Sequence, residues 1–154
     1  MKKSAGILLY HIKKSVLEFF LVHYGGPFWV KKDEGSWSIP KGEFNDDEKP
    51  FDAALREFKE ETGTELKAIN PIELLPVKQK SGKIIYAWAI EDDIDASILV
   101  SNEFEMEWPP KSGKMKSFPE IDRGEWFGVE EAKKKINPAQ VTFLNELLHQ
   151  INYD

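Results

Sequence analysis

Short apolar runs mark the first elements of the chain. Apolar and aromatic residues dominate 4–10 and 16–23, which predicts two β-strands joined by a polar turn over 11–15. Residues 24–32 predict a loop because they contain Gly25-Gly26-Pro27. The glycine pair fits a plain turn, and a phosphate-binding loop is the alternative.

Apolar residues recur at helical spacing from residue 50, after a short extended segment over 37–39. Pro50 suits the first helical turn, where its missing N–H costs no hydrogen bond. Gly63 suits the residue that ends a helix. We therefore predict a helix over 50–62. Its buried face comprises four residues at helical spacing: Phe51, Ala54, Leu55 and Phe58.

The second half of the chain predicts strands and then helices. Strands are expected over 66–77, with a turn at Asn70-Pro71, over 83–90 and over 125–129. A short helix over 130–136 precedes a last helix, in which Asn137 is the cap, Pro138 is first and Gln140 closes a capping box. The buried face of that last helix comprises Val141, Leu144, Leu147, Leu148 and Ile151.

This order of elements favours an α/β (α+β) fold, in which a mixed β-sheet lies between helices. No linker divides residues 1–154, so we expect a single domain. No apolar run reaches the ~18 residues of a membrane span, and the start of the chain lacks the apolar segment of a leader. We therefore expect a cytoplasmic protein, either a monomer or a homodimer.

Charge and composition exclude several classes of function. The formal net charge of −6 argues against a nucleic-acid coat protein, because binding to a phosphate backbone needs a basic face. An acidic pocket can still take a small phosphate compound if a divalent cation reverses the local field. The absence of cysteine removes disulfides, thiolate catalysis and cysteine zinc sites.

Three glutamates stand together on the predicted helix. Glu57, Glu60 and Glu61 are at positions i, i+3 and i+4, so at ~100° per residue they share one face. Like charges at this spacing destabilise a helix by about 0.2–0.5 kcal/mol per pair, a penalty that a cation would reverse. Oxygen-only ligands suit Mg²⁺ or Mn²⁺, and a solvated surface is the alternative.

The residues around these acids complete a known pattern. The segment runs Gly42, five residues, Glu48, seven residues, Arg56-Glu57, two residues, Glu60-Glu61, one residue and Gly63. It resembles the box of the Nudix hydrolase family, in which every fixed charged or glycine position matches. Phe58 and Thr64 depart from the aliphatic residues of the pattern, but both are packing positions.

Two features outside the box also resemble the family. Residues 37–42 read Trp-Ser-Ile-Pro-Lys-Gly, similar to the W-x-x-P-K-G lead-in of Nudix enzymes that act on polyphosphates. Glu120 stands six residues before Trp126, the offset at which several Nudix enzymes carry a loop glutamate that completes the site. The resemblance covers about residues 4–150.

The resemblance implies a role for each residue of the box. Glu57 and Glu61 are the expected primary ligands of Mg²⁺ or Mn²⁺. Glu60 is the expected third ligand or the residue that holds the attacking water. Gly42 is expected to offer its carbonyl to the metal, and Arg56 to orient Glu57 by ion pairing.

The resemblance also implies a small nucleotide substrate. The expected reaction is hydrolysis of a phosphoanhydride bond in a nucleoside diphosphate linked to another moiety. Dinucleoside polyphosphates are the leading candidate substrates, and nucleoside triphosphates are the alternative substrates. The alternative function of another class is a sensor that binds a nucleotide without turnover. Lys41 is placed to touch a substrate phosphate, and Tyr86 and Trp88 are candidate base contacts that would otherwise be core aromatics.

A further carboxylate across the cleft would help to activate water. Glu120, in a loop, is the expected residue. Its rivals are Glu103, Glu105 and Glu107, whose strict alternation with apolar residues over 102–108 instead predicts the outer face of a strand. A lysine-rich loop is expected over 109–118, and a site without a fourth acid is the remaining possibility.

Overall fold

The computed structural model describes residues 2–153. It contains ten strands: β1 Lys3–Lys13, β2 Val16–Tyr24, β3 Trp37–Ser38, β4 Lys41–Glu43, β5 Ile72–Glu73, β6 Val77–Lys78, β7 Ile84–Glu91, β8 Glu103–Glu107, β9 Met115–Pro119 and β10 Ile121–Gly128. The helices are α1 Pro50–Thr62, α2 Val129–Lys135 and α3 Val141–Gln150, with single 3-10 turns at Ala96–Ile98 and Pro138–Gln140. No helix among the described residues is long and apolar enough to cross a membrane.

A mixed sheet forms the centre of the molecule. β1 lies in its middle, antiparallel to β2 and parallel to β7, with β10 and β5 at the two ends. β4 pairs with the first residues of β1, so that Gly42 lies beside Ala5. Because β1 is covered on both faces, its residues from Ser4 to His11 are buried without a break.

The two faces of the sheet are covered by different helices. On one face, Leu8 and Tyr10 of β1 pack against residues of α2 and α3 such as Ala132 and Leu144. On the other face, the alternate β1 residues pack against α1, whose buried side chains include Ala53, Ala54 and Phe58. The prediction of a mixed sheet between helices is therefore confirmed.

α1 has the bounds that the sequence predicts. Pro50 occupies its first turn, and Gly63 ends it with a left-handed φ of 75° while its N–H donates to the carbonyl of Lys59. Phe51 and Leu55 of the predicted apolar face are only partly buried, whereas Ala53 is fully buried. The strand predicted over 83–90 is also confirmed, one residue further along, as β7.

The predicted turn over 11–15 is too long. β1 continues to Lys13, and the turn consists of Lys14 and Ser15, whose φ values of 52° and 67° are both left-handed. Two such residues match the twist of paired strands in a tight hairpin. His11 stays in the strand because its ring nitrogens bind Glu18 at 2.8 Å and Asp93 at 3.0 Å.

Other strand boundaries also differ from the prediction. Only the short strands β5 and β6 form within 66–77, and Ala68 and Asn70 adopt left-handed φ values that interrupt an extended chain. β9 occupies part of the expected lysine-rich loop and pairs with β8 in a separate two-stranded sheet. β10 begins at Ile121, four residues before the predicted start.

Gln140 does not close a capping box. Asn137 accepts a hydrogen bond from the N–H of Ala139 and caps the 3-10 turn, while α3 begins only at Val141. The Gln140 side chain is instead fully buried, where its Oε1 accepts the N–H of Ile39 at 3.0 Å. Its Nε2 donates to the hydroxyl of Ser38 at 3.0 Å, so it ties the end of the sequence to the segment before β4.

Replacing Gln140 should destabilise the fold. Gln140→Leu leaves the N–H of Ile39 buried without an acceptor, which costs about 1–3 kcal/mol in the free energy of unfolding. Chemical denaturation measures the loss. Gln150→Leu is the matched control, because Gln150 is exposed at the end of α3 and its loss should change stability by less than about 0.5 kcal/mol. Equal losses for both variants would contradict the anchoring role of Gln140.

Candidate active site

The acidic face of α1 lines a cleft of about 410 Å³. α1, β4 and the segment that joins β9 to β10 all contribute residues to it. The lining residues are Lys41, Gly42, Glu43, Glu57, Glu60, Glu61, Lys83, Asn102 and Glu120. The cleft therefore brings together three of the four box acids, Lys41 and the loop acid that the sequence singles out.

Gly42 lies in direct contact with Glu57. A Cβ added to Gly42 would stand 1.9 Å from the Glu57 Oε2, so any side chain there would displace the carboxylate. The pairing of Gly42 with Ala5 fixes the backbone of β4 at this point. Glycine is therefore required at position 42 by the close approach of a carboxylate.

Arg56 gathers three carboxylates. Its Nε and one terminal nitrogen donate to Glu48 at 2.7 and 2.8 Å, and its other terminal nitrogen donates to Glu57 at 2.8 Å and Glu60 at 3.2 Å. These contacts, with the Glu48 hydrogen bonds the largest cause, raise the pKa of Arg56. The ion pair with Glu57 that the sequence predicts is present, and Glu48 anchors the guanidinium from the far side.

Glu61 and Lys41 meet at the bottom of the cleft. The Glu61 Oε1 accepts the backbone N–H of Lys41 at 3.2 Å. Burial raises the pKa of Glu61 to about 8, although the charge of Lys41 opposes the shift. Burial lowers the pKa of Lys41, against the opposing charge of Glu61. Lys41 is therefore a partly buried side chain of the cleft and not an exposed surface lysine.

Glu120 faces the acids of α1 across the cleft. Burial raises the pKa of Glu120, and the charge of Glu60 adds to the shift. Burial likewise raises the pKa of Glu57, with Arg56 opposing it and the charge of Glu120 among the smaller causes. The rival acids on β8 are exposed, and the cleft lining does not include them: Glu103, Glu105 and Glu107.

The expected base contacts lie elsewhere. Tyr86 and Trp88 belong to β7 and are partly buried against the α1 side of the core. Tyr86 makes an edge contact with Phe44 at 6.1 Å between ring centroids, and Trp88 makes one with Phe51 at 5.3 Å. Neither ring lines the cleft, so contact with a base stays a prediction for both.

Three residues of the cleft were not predicted to lie there: Glu43, Lys83 and Asn102. Lys83 belongs to a lysine-rich turn, a signal visible in the sequence, and burial lowers its pKa with a further contribution from the charge of Lys41. Asn102 immediately precedes β8 and carries no motif that would single it out. Its place depends on the pairing of β8 with β9.

The donor set fits a hard divalent cation. All the acidic side chains of the cleft offer carboxylate oxygens, which Mg²⁺ and Mn²⁺ prefer. Within residues 2–153, no three acidic or histidine side chains converge tightly enough to enclose an ion, while Arg56 binds Glu57 and Glu60.

The metal-free protein should lose stability as the pH rises from about 5 to 8. The pKa of Glu61 is about 8 in the folded state and ordinary in the unfolded chain, so the folded state binds more protons between these values. The free energy of unfolding must then fall as the pH rises through this window. Melting curves in chelator should show the fall, and Glu61→Gln should flatten it. An unchanged slope in the variant would contradict the raised pKa.

Solved structures of other proteins share the fold of this chain. The C. elegans Ap4A hydrolase in a binary complex has a TM-score of 0.67 at 20% identity, and the alignment covers 99% of this chain and 98% of that one. The NUDIX domain of Shewanella oneidensis NrtR complexed with ADP ribose has a TM-score of 0.65 at 14% identity, with 97% and 87% covered. A mutT/nudix family protein from Listeria innocua has a TM-score of 0.64 at 17% identity, with 98% and 94% covered.

The family follows from the sequence match. No curated protein matches the chain by sequence. The family model of the NUDIX domain matches residues 2–147, nearly the whole chain. Every fixed acid and glycine of the box is present, and Gly42, Glu57, Glu60 and Glu61 line one cleft. This chain belongs to the Nudix family.

Proposed function

We propose that the chain hydrolyses a phosphoanhydride bond in a nucleoside diphosphate linked to another moiety, with Mg²⁺ or Mn²⁺ as cofactor. Dinucleoside polyphosphates of the diadenosine tetraphosphate type are the leading substrates. One observation carries the proposal: carboxylates of α1 and of the β9–β10 connection line a single cleft beside two lysines. The residues concerned are Glu57, Glu60, Glu61, Glu120, Lys41 and Lys83.

Glu57 and Glu61 would hold the ion, together with the carbonyl of Gly42. When bound, a divalent cation neutralises the charge of a diphosphate and makes a bound water a stronger acid. Arg56 orients Glu57 through its 2.8 Å hydrogen bond and binds Glu60 with the same nitrogen. Because Arg56 is itself anchored by Glu48, the carboxylates are ordered before the ion binds.

Glu120 is the residue best placed to accept the proton of the attacking water. Glu60 accepts hydrogen bonds from Arg56, whereas no residue among 2–153 hydrogen-bonds the Glu120 carboxylate. Its raised pKa makes it a stronger base than an ordinary glutamate. The water oxygen bonds to phosphorus, the anhydride P–O bond breaks with its electron pair leaving on the departing phosphate, and the proton passes to Glu120.

The positive charges of the cleft favour a substrate with several phosphates. Lys41 and Lys83 lie beside the acids, where they can neutralise phosphates that do not react. The likeness to the C. elegans Ap4A hydrolase, at 20% identity, makes diadenosine tetraphosphate the first compound to test. Nucleoside triphosphates are the second, because the same lysines suit a single chain of three phosphates.

A panel of nucleotides incubated with Mg²⁺ tests the proposal, with the products identified by mass. Diadenosine tetraphosphate, ATP and ADP-ribose are the informative members. Cleavage of diadenosine tetraphosphate into two nucleotides that together carry four phosphates would support dinucleoside polyphosphates as the substrates. Faster release of pyrophosphate from ATP would transfer the assignment to nucleoside triphosphates. Tight binding without any product would contradict hydrolysis and indicate a nucleotide sensor.

Removing one proposed ligand should abolish both turnover and the effect of metal on stability. Saturating Mg²⁺ at one hundred times Kd adds about 2.7 kcal/mol to the free energy of unfolding of a protein that binds it only when folded. Glu57→Gln should lose that increment and the activity while it still folds. Glu65→Gln is the control, since Glu65 is 80% exposed and contacts Lys59. Near-normal turnover by Glu57→Gln would show that the ligand assignment is wrong.

Glu120→Gln should lower kcat by roughly 10²–10⁴ and change KM little, the scale expected for a lost general base. The matched control is Glu105→Gln, which removes an exposed acid from β8 of the same hairpin. Steady-state kinetics at saturating Mg²⁺ provide both constants. A parental kcat for Glu120→Gln together with a low kcat for Glu105→Gln would transfer the role to the strand acids.

A further inference from the structure

The hairpin of β8 and β9 meets the cleft only at its base. The two strands pair with each other and form a sheet separate from the main one. Asn102 precedes β8, Glu120 follows β9, and both residues line the cleft. The hairpin also packs on the loop after β2, where Phe28 makes an edge contact with Trp108 at 5.6 Å between ring centroids, but the backbone beside Glu120 is held by hydrogen bonds at the base.

Ser101 and Asn102 clamp the backbone around Glu120. The N–H of Glu120 donates to the carbonyl of Asn102 at 2.8 Å. The hydroxyl of Ser101 accepts the N–H of Ile121 at 3.1 Å and donates to the carbonyl of Asn102 at 3.0 Å. One hydroxyl therefore joins the start of the hairpin to the residue after Glu120.

Gly25 holds the same segment from the other side. Its N–H donates to the carbonyl of Glu120 at 2.8 Å. A Cβ on Gly25 would lie 2.0 Å from the carbonyl oxygen of Pro119, and the neighbouring Gly26 leaves similar space for the ring of Phe104. The φ of Gly25 is not left-handed, so the close approach of the hairpin requires glycine here.

We propose that Ser101 and Gly25 are positioning residues that hold the carboxylate of Glu120 toward the cleft, an inference that rests on the proposed function. Since no described residue hydrogen-bonds that carboxylate, its place follows from its backbone. The hydrogen bonds hold this backbone on both sides. A displacement of about 1 Å can cost on the order of 10²-fold in rate, so loosening the clamp should slow the reaction.

Ser101→Ala tests the clamp. It should lower kcat at least about tenfold and leave KM near the parental value, because the substrate contacts elsewhere in the cleft are intact. Ser101→Thr keeps the hydroxyl and should recover most of the loss. Ser112→Ala is the matched control: it removes a hydroxyl that accepts the N–H of Lys114 at the hairpin tip, and it should leave kcat unchanged.

A double-mutant cycle with Glu120→Gln separates positioning from general loosening of the fold. If Ser101 acts through Glu120, Ser101→Ala should have almost no further effect on kcat in the Glu120→Gln background. A full additional loss in that background, or a parental kcat for Ser101→Ala alone, would overturn the inference and leave the proposed function intact. A parental kcat for Glu120→Gln would instead remove the role of Glu120, and this inference would fall with it.

Gly25→Ala provides a second line of evidence. It should displace the peptide before Glu120 and lower kcat, again without further effect in the Glu120→Gln background. Gly128→Ala is the control, because a Cβ there meets no atom within 4 Å and the backbone φ is −63°. An unchanged kcat in folded Gly25→Ala would contradict its positioning role. If Gly25→Ala does not fold, the Ser101 cycle decides the question.

Discussion

Repulsion between carboxylates is the constraint on which the site depends. α1 presents three glutamates to one cleft, and Glu120 faces them. Arg56 relieves part of the repulsion by binding Glu57 and Glu60, and Glu48 holds the guanidinium in place. Burial raises the pKa of Glu61 to about 8, so its carboxyl group keeps a proton near neutral pH in the metal-free site, and a bound cation would favour the charged form.

The centre of the sheet determines where this charge is concentrated. Ser4 to Gly6 of β1 pair with β4, which places Gly42 against Glu57 and the N–H of Lys41 against Glu61. The segment before β4 is held from the other side of the sheet by Gln140. Residues 38–42 are therefore held by Gln140 at one end and contact α1 at the other, so packing away from the cleft contributes to its geometry.

The features best predicted from the sequence are those that neighbouring residues determine. The bounds of α1 follow from Pro50, Gly63 and the apolar spacing between them. The meeting of Glu120 with the box acids could be expected only from a motif offset. Lys83 and Asn102 could not be placed, because strand pairing between distant segments brings them to the cleft. The turn predicted over 11–15 was too long, because neither Lys14 nor Ser15 is a residue type that signals a left-handed backbone.

The far end of the β8–β9 hairpin folds on itself. The Glu107 carboxylate accepts the N–H groups of Lys111 and Gly113 at 2.8 and 3.1 Å, and the space beside Gly113 is open. The base is tied down separately, by the hydrogen bonds around Glu120. Residues 111–113 are exposed, so insertions, deletions or a bulky label can be accommodated at this tip without displacing the base.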